Sequence, residues 1–243
     1  MINKSEFSEK LASALTKNSL GEFALQSIID KLYALAERML SVNEYMNLTA
    51  ITDIDGVILK HYVDSLTVAK YIPEGASVID VGCGAGFPSL PLAIARSDLR
   101  ITALDSTAKR INYINESADL LDLPSITAIA ARAEDLANTA EYREKYDISC
   151  ARAVARLNVL CELCLPFVKV GGSFIAMKAN ADEELAEAEN AVKKLGGEIA
   201  LTNCFDLLGE SLADPRCIIC VKKTSPTPKN YPRNNSQIKK KPL

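Results

Sequence analysis

Val78-Ile79-Asp80-Val81-Gly82-Cys83-Gly84-Ala85-Gly86-Phe87-Pro88 is the stretch on which the fold turns. A β-branched, apolar run ends beside an acid, breaks into glycines at every second position and leads into a helical pattern from Leu90 to Arg96. Strand, glycine turn and helix in that order bring backbone N–H groups close to a nucleotide-type ligand. The spacing is Gly-x-Gly-x-Gly, whereas a dinucleotide fold needs its third glycine one residue later for helix packing. That difference disfavours an NAD-dependent oxidoreductase. A plain tight turn would use the same glycines, so the neighbouring strand ends have to decide. Ala103-Leu104-Asp105 closes the next strand nineteen residues after Gly86, where a carboxylate can accept hydrogen bonds from both hydroxyls of a ribose. After the third strand, Ala131-Arg132-Ala133-Glu134-Asp135 offers a backbone N–H and an acid that can bracket an adenine. Either acid alone would also suit a helix N-terminus. Their placement at successive strand ends favours a ligand, with Asp80, Gly82, Gly84, Asp105 and Glu134 as its candidate contacts.

Outward from this stretch, short apolar runs alternate with helical ones. Ser77 to Val81, Ile101 to Leu104, Ile126 to Ala130, Tyr146 to Cys150 and Ser173 to Met177 read as strands. Leu90 to Arg96, Thr107 to Leu121, Val154 to Phe167 and Asp182 to Leu195 read as the helices between them. Such alternation implies a parallel sheet covered on both faces, with ligands at the carboxyl ends of its strands. Glu198 to Phe205 and Cys217 to Val221 have no helix between them and pair most simply as an antiparallel hairpin. Before the sheet, Ile28, Leu32, Leu35 and Met39, then Ile58, Tyr62, Ser65 and Ala69, follow helix spacing, with Asn47-Leu48-Thr49 as the break. The expected organisation is a helical cap over 1–72, an α/β domain over 73–223 and a Pro-containing tail over 224–243. The tail has no periodic apolar pattern and is expected to be mobile unless a partner orders it.

The 243 residues carry a formal net charge of −3, which hides a strong asymmetry. Residues 222–243 hold Lys222, Lys223, Lys229, Arg233, Lys239, Lys240 and Lys241 and no acid, giving +7 against −10 for the rest. With 48% hydrophobic residues, no apolar run near bilayer length and no signal-peptide layout at Met1-Ile2-Asn3-Lys4-Ser5-Glu6, the chain reads as a cytoplasmic globular enzyme. Seven cysteines in such a chain imply reduced thiols. Cys161 and Cys164 continue a helical apolar face begun by Val154 and Leu157, and Cys217 and Cys220 point to opposite faces of a strand, so neither Cys-x-x-Cys pair suits zinc. No metal is expected.

Several stretches together make the chain familiar: Met46-Asn47-Leu48-Thr49-Ala50-Ile51, His61-Tyr62-Val63-Asp64-Ser65-Leu66, Asp80 to Pro91, Leu104-Asp105-Ser106 with Lys109-Arg110, Arg132-Ala133-Glu134-Asp135, Ala151-Arg152-Ala153-Val154-Ala155 and Tyr231-Pro232-Arg233. In these the chain resembles the bacterial 16S ribosomal RNA guanine-N7 methyltransferase G family, also called glucose-inhibited division protein B. The resemblance implies a seven-stranded, Rossmann-like fold that binds S-adenosylmethionine. Carried over by position, it places cofactor contacts on Gly82, Phe87, Ala133, Glu134 and Arg152. Cys83 and Ser89 depart from the family pattern, where Ser or Thr and Gly are common.

The implied reaction is methyl transfer to N7 of a guanine in 16S ribosomal RNA, on naked RNA or the small ribosomal subunit, by a protein expected to be monomeric. N7 carries no hydrogen, so no general base is required, and the sole histidine, His61, reads as a structural residue of the cap. Ser149-Cys150-Ala151-Arg152 lacks the Asn/Asp-Pro-Pro-Tyr type motif of exocyclic amino methylation, and Cys150 lacks the preceding Pro of carbon-5 methylation. Arg152, Arg156, Lys178 and Arg233 are the RNA-binding candidates, with Lys60 and the tail supplying further phosphate contacts. The alternatives are a methyltransferase acting on another RNA or a protein, and a non-catalytic RNA-binding module.

Overall fold

Asn3 begins the first helix by accepting hydrogen bonds at its side chain from Ser5 N–H and Glu6 N–H, and α1 (Lys4–Lys17) then buries Phe7, Leu11 and Leu15. The computed structural model describes residues 3–209 and 213–243; Met1 and Ile2 of the stretch read for a signal peptide lie outside them. Helix α2 (Gln26–Met46) buries Ile28, Leu32, Leu35 and Met39 as its spacing requires, and stops where Asn47 turns left-handed at φ 52°. The second cap segment is α3 (Ile54–Gly56), a π-helical stretch Val57–Val63 and α4 (Asp64–Leu66), run together. Ile58, Tyr62, Ser65 and Ala69 are all buried. π-Helical turns widen a helix locally and often lie at functional sites; this one carries Lys60 and His61.

The remaining elements are β1 (Ser77–Val81), α5 (Ser89–Ala95), β2 (Arg100–Asp105), α6 (Ala108–Leu120), β3 (Ile126–Ala130), α7 (Ala133–Leu136), β4 (Tyr146–Arg152), α8 (Leu157–Cys164), β5 (Val168–Lys178), α9 (Asp182–Lys194), β6 (Gly197–Leu208), β7 (Ala213–Lys223) and α10 (Asn235–Lys240). The strands form one sheet in the order β3-β2-β1-β4-β5-β7-β6. The first five strands pair in parallel, and β7 runs antiparallel between β5 and β6. One sheet face shares a core with the cap, joining Phe7, Leu32 and Tyr62 to Val78, Ile101 and Ile148. The other face packs Ile79, Ala151 and Phe174 against Leu160, Cys161 and Val192 of α8 and α9. Because β1 lies between β2 and β4, the chain leaves its carboxyl end in one direction and returns on the other side, which opens a crevice there.

The structure corrects the sequence reading in four places. Strand β5 starts at Val168, because Gly171-Gly172 interrupts the apolar pattern without ending the strand. A Cβ at Gly172 would lie 2.4 Å from the Asp147 carbonyl oxygen, so the close approach there demands glycine. Helix α8 begins at Leu157, and Val154, assigned to its apolar face, is 40% exposed in the preceding loop. Cys204 and Cys217 are direct cross-strand partners joined by a disulfide, so these two are not the reduced thiols expected. Cys217 faces the second core and Cys220 packs against the first, the opposed orientation expected of that pair.

The fourth correction concerns the tail. It is packed against the domain: Thr227, Pro232 and Ile238 are buried, and α10 packs against α8, with Ile238 in the second core. Among the described residues no helix is long and apolar enough to cross a membrane, and no group of three or more His, Cys, Asp or Glu is placed to hold a metal ion.

Candidate active site

At the carboxyl end of β1 the chain turns at Gly82 with φ +78°, and its N–H donates to the Leu104 carbonyl at 2.7 Å. A Cβ on Gly82 would lie 2.6 Å from Val154 Cγ2, so both the backbone conformation and the space exclude a side chain. Asp80 lies beneath this turn and is 1% exposed. Its Oδ2 accepts hydrogen bonds from the Ser89 hydroxyl at 2.6 Å and the Ser89 N–H at 3.2 Å. Ser89, one of the two departures from the family pattern, therefore fixes the orientation of this carboxylate. Burial raises the Asp80 carboxyl to about 6, against the downward pull of Ser89 and Arg152.

In front of the turn lies a cleft of about 350 Å³ bounded by the ends of β1, β2 and β3. Asp105 enters it from β2, with Oδ2 accepting from Gly84 N–H at 3.1 Å and Oδ1 from Thr107 N–H at 2.8 Å. Glu134, 5% exposed, borders it from α7, and Arg132 Nη1 stands 3.8 Å from its Oε1. Asp80 Oδ1 and Glu134 Oε1 are buried acceptors without a hydrogen-bond partner among the described residues. Buried acceptors are normally satisfied, so a ligand bearing hydroxyl, amino and cationic groups fits this set. S-adenosylmethionine is such a ligand.

A second cavity of about 390 Å³ lies at the ends of β4 and β5. Asp64, 5% exposed, sits at its base between two guanidinium groups: Arg152 Nη1 at 2.9 Å from Oδ2 and Arg216 Nε at 2.9 Å from Oδ1. Arg152 also donates to the Lys60 carbonyl at 2.7 Å, a group offered by the π-helical turn. His61 and Phe87 stack with ring centroids 4.4 Å apart and planes 6° apart, and the Arg152 guanidinium lies 5.4 Å from the Phe87 ring centre. Burial, then the nearby Arg152 charge, lowers His61 to about 4, so the ring is neutral near pH 7 while its Nε2 pairs with the Thr49 hydroxyl at 2.9 Å. With Lys60, Lys178, Arg152 and Arg216 around one carboxylate, the cavity is cationic. Ala153 lines both cavities and holds a left-handed φ of 55°, a conformation costly for a residue with a Cβ.

The fold thus brings Gly82, Asp105, Ala133 and Glu134 together around the first cleft and places Arg152 and Lys178 in the second. Asp80, Gly84 and Phe87 lie outside the lining of both. Three RNA candidates hold ion pairs within the domain. Arg233 grips the fully buried Glu162 through Nε at 2.8 Å and Nη2 at 2.6 Å, so its fork is committed to the domain. Arg156 is exposed on Glu187 at 2.7 Å, and Lys178 pairs with Glu184 at 2.8 Å. Sequence reasoning missed Asp64 and Arg216. The spacing of His61 and Asp64 on one helical segment was visible, whereas Arg216, 152 residues from Asp64, left no local signal.

A sheet of order β3-β2-β1-β4-β5-β7-β6 with β7 antiparallel, a glycine turn after β1 and acids at the following strand ends define a Rossmann-like methyltransferase. Solved structures share the fold: an S-adenosylmethionine-dependent O-methyltransferase from Thermotoga maritima aligns over 80% of this chain and 72% of its own, with a TM-score of 0.55 at 16% identity. M. jannaschii TYW2, solved in complex with AdoMet, aligns over 65% and 72% with a TM-score of 0.52, also at 16%. The family model for rRNA small subunit methyltransferase G matches residues 28–208. Curated proteins named ribosomal RNA small subunit methyltransferase G are 49% identical in Staphylococcus carnosus, over 85% of this chain and 87% of that one, and 45% identical in Lactiplantibacillus plantarum, over 100% and 98%. The chain belongs to the rRNA small subunit methyltransferase G family.

Proposed function

We propose that the protein transfers a methyl group from S-adenosylmethionine to N7 of a guanine in 16S ribosomal RNA. The observation that carries this reading is the junction at Ala153. There a cleft bordered by Asp105 and by Glu134, whose buried Oε1 accepts no hydrogen bond among the described residues, meets a cationic cavity suited to a nucleotide and its phosphates. When bound, S-adenosylmethionine supplies an electrophilic methyl on a cationic sulfur. Asp105 and Glu134 would hold its adenosine, and Asp80 would balance positive charge from below. Lys60, Arg152 and Arg216 would hold the guanine nucleotide so that the N7 lone pair points along the sulfur–methyl axis. One N–C bond forms as one S–C bond breaks, and no proton leaves N7. The neutral His61 is consistent with this, because its role is to wedge Phe87 and hold Thr49. Alignment alone can lower such a barrier by roughly 7–11 kcal/mol.

The cells' own RNA tests the reading. Mapping N7-methylguanine in 16S RNA from cells with and without the gene is expected to show one site lost in the deletion. Unchanged methylation would refute the proposal, and a methyl lost from another RNA or protein would favour the alternative substrate.

The tail enters the RNA reading in reduced form. Lys223 is buried against Glu144 at 3.1 Å, Lys222 donates to the Gly171 carbonyl and Arg233 holds Glu162, leaving Lys229, Lys239, Lys240 and Lys241 exposed. At about −0.7 per contact, four such cations on single-stranded RNA contribute a slope of about −2.8 to log affinity against log salt. Replacing all four with Gln is expected to reduce the measured slope by that amount. An unchanged slope would remove the tail from the RNA interface.

A further inference from the structure

We propose that the C-terminal segment, residues 224–243, is a wall of the cofactor cleft, with Asn235 as a cofactor contact and Arg233 as a positioning residue. This rests on the reading of the 350 Å³ cleft as the S-adenosylmethionine site, to which it adds a function for chain beyond the stretch matched by the family model.

Asn235, half-buried at the start of α10, lines the cleft together with Asp105, Arg110 and Glu134. The segment that delivers it is clamped to two elements that contribute lining residues, α7 and α8. On the α7 side, Asn138 Nδ2 donates to the Glu134 carbonyl at 2.9 Å and to the Pro232 carbonyl at 3.3 Å, tying the turn that carries Glu134 to the tail. Arg143 adds bonds to the carbonyls of Tyr231 at 2.8 Å and Thr227 at 2.9 Å. On the α8 side, Glu162 is 0% exposed and accepts from Arg233 through N–H, Nε and Nη2 at 2.9, 2.8 and 2.6 Å. The neighbour of Glu162, Leu163, lines the cleft.

A buried carboxylate on α8 thus has its ion pair supplied by the tail. Withdrawing Arg233 would strand that charge and loosen the wall that includes Leu163 and Asn235. An arm meant only to sweep up RNA would not spend its one arginine on a buried acid, nor thread its carbonyls through Arg143.

The test is calorimetry of the full chain with S-adenosylhomocysteine, without RNA, alongside thermal melting. Asn235→Ala is expected to weaken binding by about 3- to 10-fold, the value of one hydrogen bond, with an unchanged melting temperature. Arg233→Ala is expected to weaken it by more than about 10-fold, with Arg233→Lys intermediate because Lys keeps the charge and loses the fork. The KM for S-adenosylmethionine should rise in the same order. A purely structural role would lower the melting temperature and leave the dissociation constant of the folded fraction unchanged. Wild-type affinity in both Asn235→Ala and Arg233→Ala would overturn the proposal. Failure of the wild-type protein itself to bind S-adenosylhomocysteine would instead overturn the cofactor reading beneath it.

Discussion

Asp80→Asn is expected to make the cofactor-free protein more stable and to weaken S-adenosylmethionine binding by at least about 100-fold, equivalent to about 2.7 kcal/mol. Both effects follow from the burial that raises the Asp80 carboxyl from its usual 3.8 to about 6. Between those values the unfolded chain has lost the proton and the folded protein still holds it, so stability falls as pH rises from about 4 to about 6. Above that window the cost stays constant, at up to about 3 kcal/mol near pH 7. Asn keeps an oxygen for the Ser89 hydroxyl and N–H and carries no charge to bury, so it removes that cost. It also removes the buried negative charge that would lie beneath the cationic cofactor, behind the glycine turn. For the wild type the same linkage makes affinity drop as pH falls through about 6, where Asp80 takes up its proton. Denaturant melts and calorimetry from pH 5 to 8 check both limbs. Equal affinity in the two proteins, or a flat wild-type profile, would contradict the role given to Asp80.

The second large effect is expected at Asp64. Its carboxylate lies between Arg152 and Arg216, whose side chains are 17% and 15% exposed. Asp64→Ala leaves two half-buried guanidinium groups facing each other without a counter-charge, a loss of about 3–5 kcal/mol in stability. The cations would then spread apart, and with them the surface that holds the acceptor nucleotide. Misplacing a reacting group by even about 1 Å can cost about 100-fold in rate, so methyl transfer is expected to fall by at least that factor. Binding of S-adenosylhomocysteine should stay within a few-fold of wild type, because Asp64 does not line the cofactor cleft. Retention of wild-type turnover would show that the arginines are positioned by something else.

How far the molecule could be read in advance depended on where its information lay along the chain. Asp80, Gly82, Asp105 and Glu134 were visible because each is fixed by a short strand-turn-helix unit whose chemistry is local. The antiparallel hairpin was equally legible, since no helix separates its strands. The cationic cavity was not: Asp64 and Arg216 are 152 residues apart, and only the placement of β7 beside β5 brings them together. The packed tail escaped for a different reason. Arg143 and Asn138 hold it largely through main-chain carbonyls, which leave no side-chain pattern, and its apolar anchors Tyr231, Ile238 and Leu243 follow no helical repeat. The Cys204–Cys217 pair likewise depends on strand register, which spacing alone did not supply. The net charge of the tail pointed to RNA, while the geometry assigns three of its cations, Lys222, Lys223 and Arg233, to acids or carbonyls of the domain.

The most direct test of the account is a purified reaction. The protein is incubated with S-adenosylmethionine carrying a labelled methyl group and with 16S RNA or small subunits from cells lacking the gene, and the labelled nucleotide is then located by mass mapping. The expected product is a single N7-methylguanine in 16S RNA, with label incorporation lost in Asp64→Ala. Label on another atom or another molecule, or none from a protein that binds the cofactor, would contradict it.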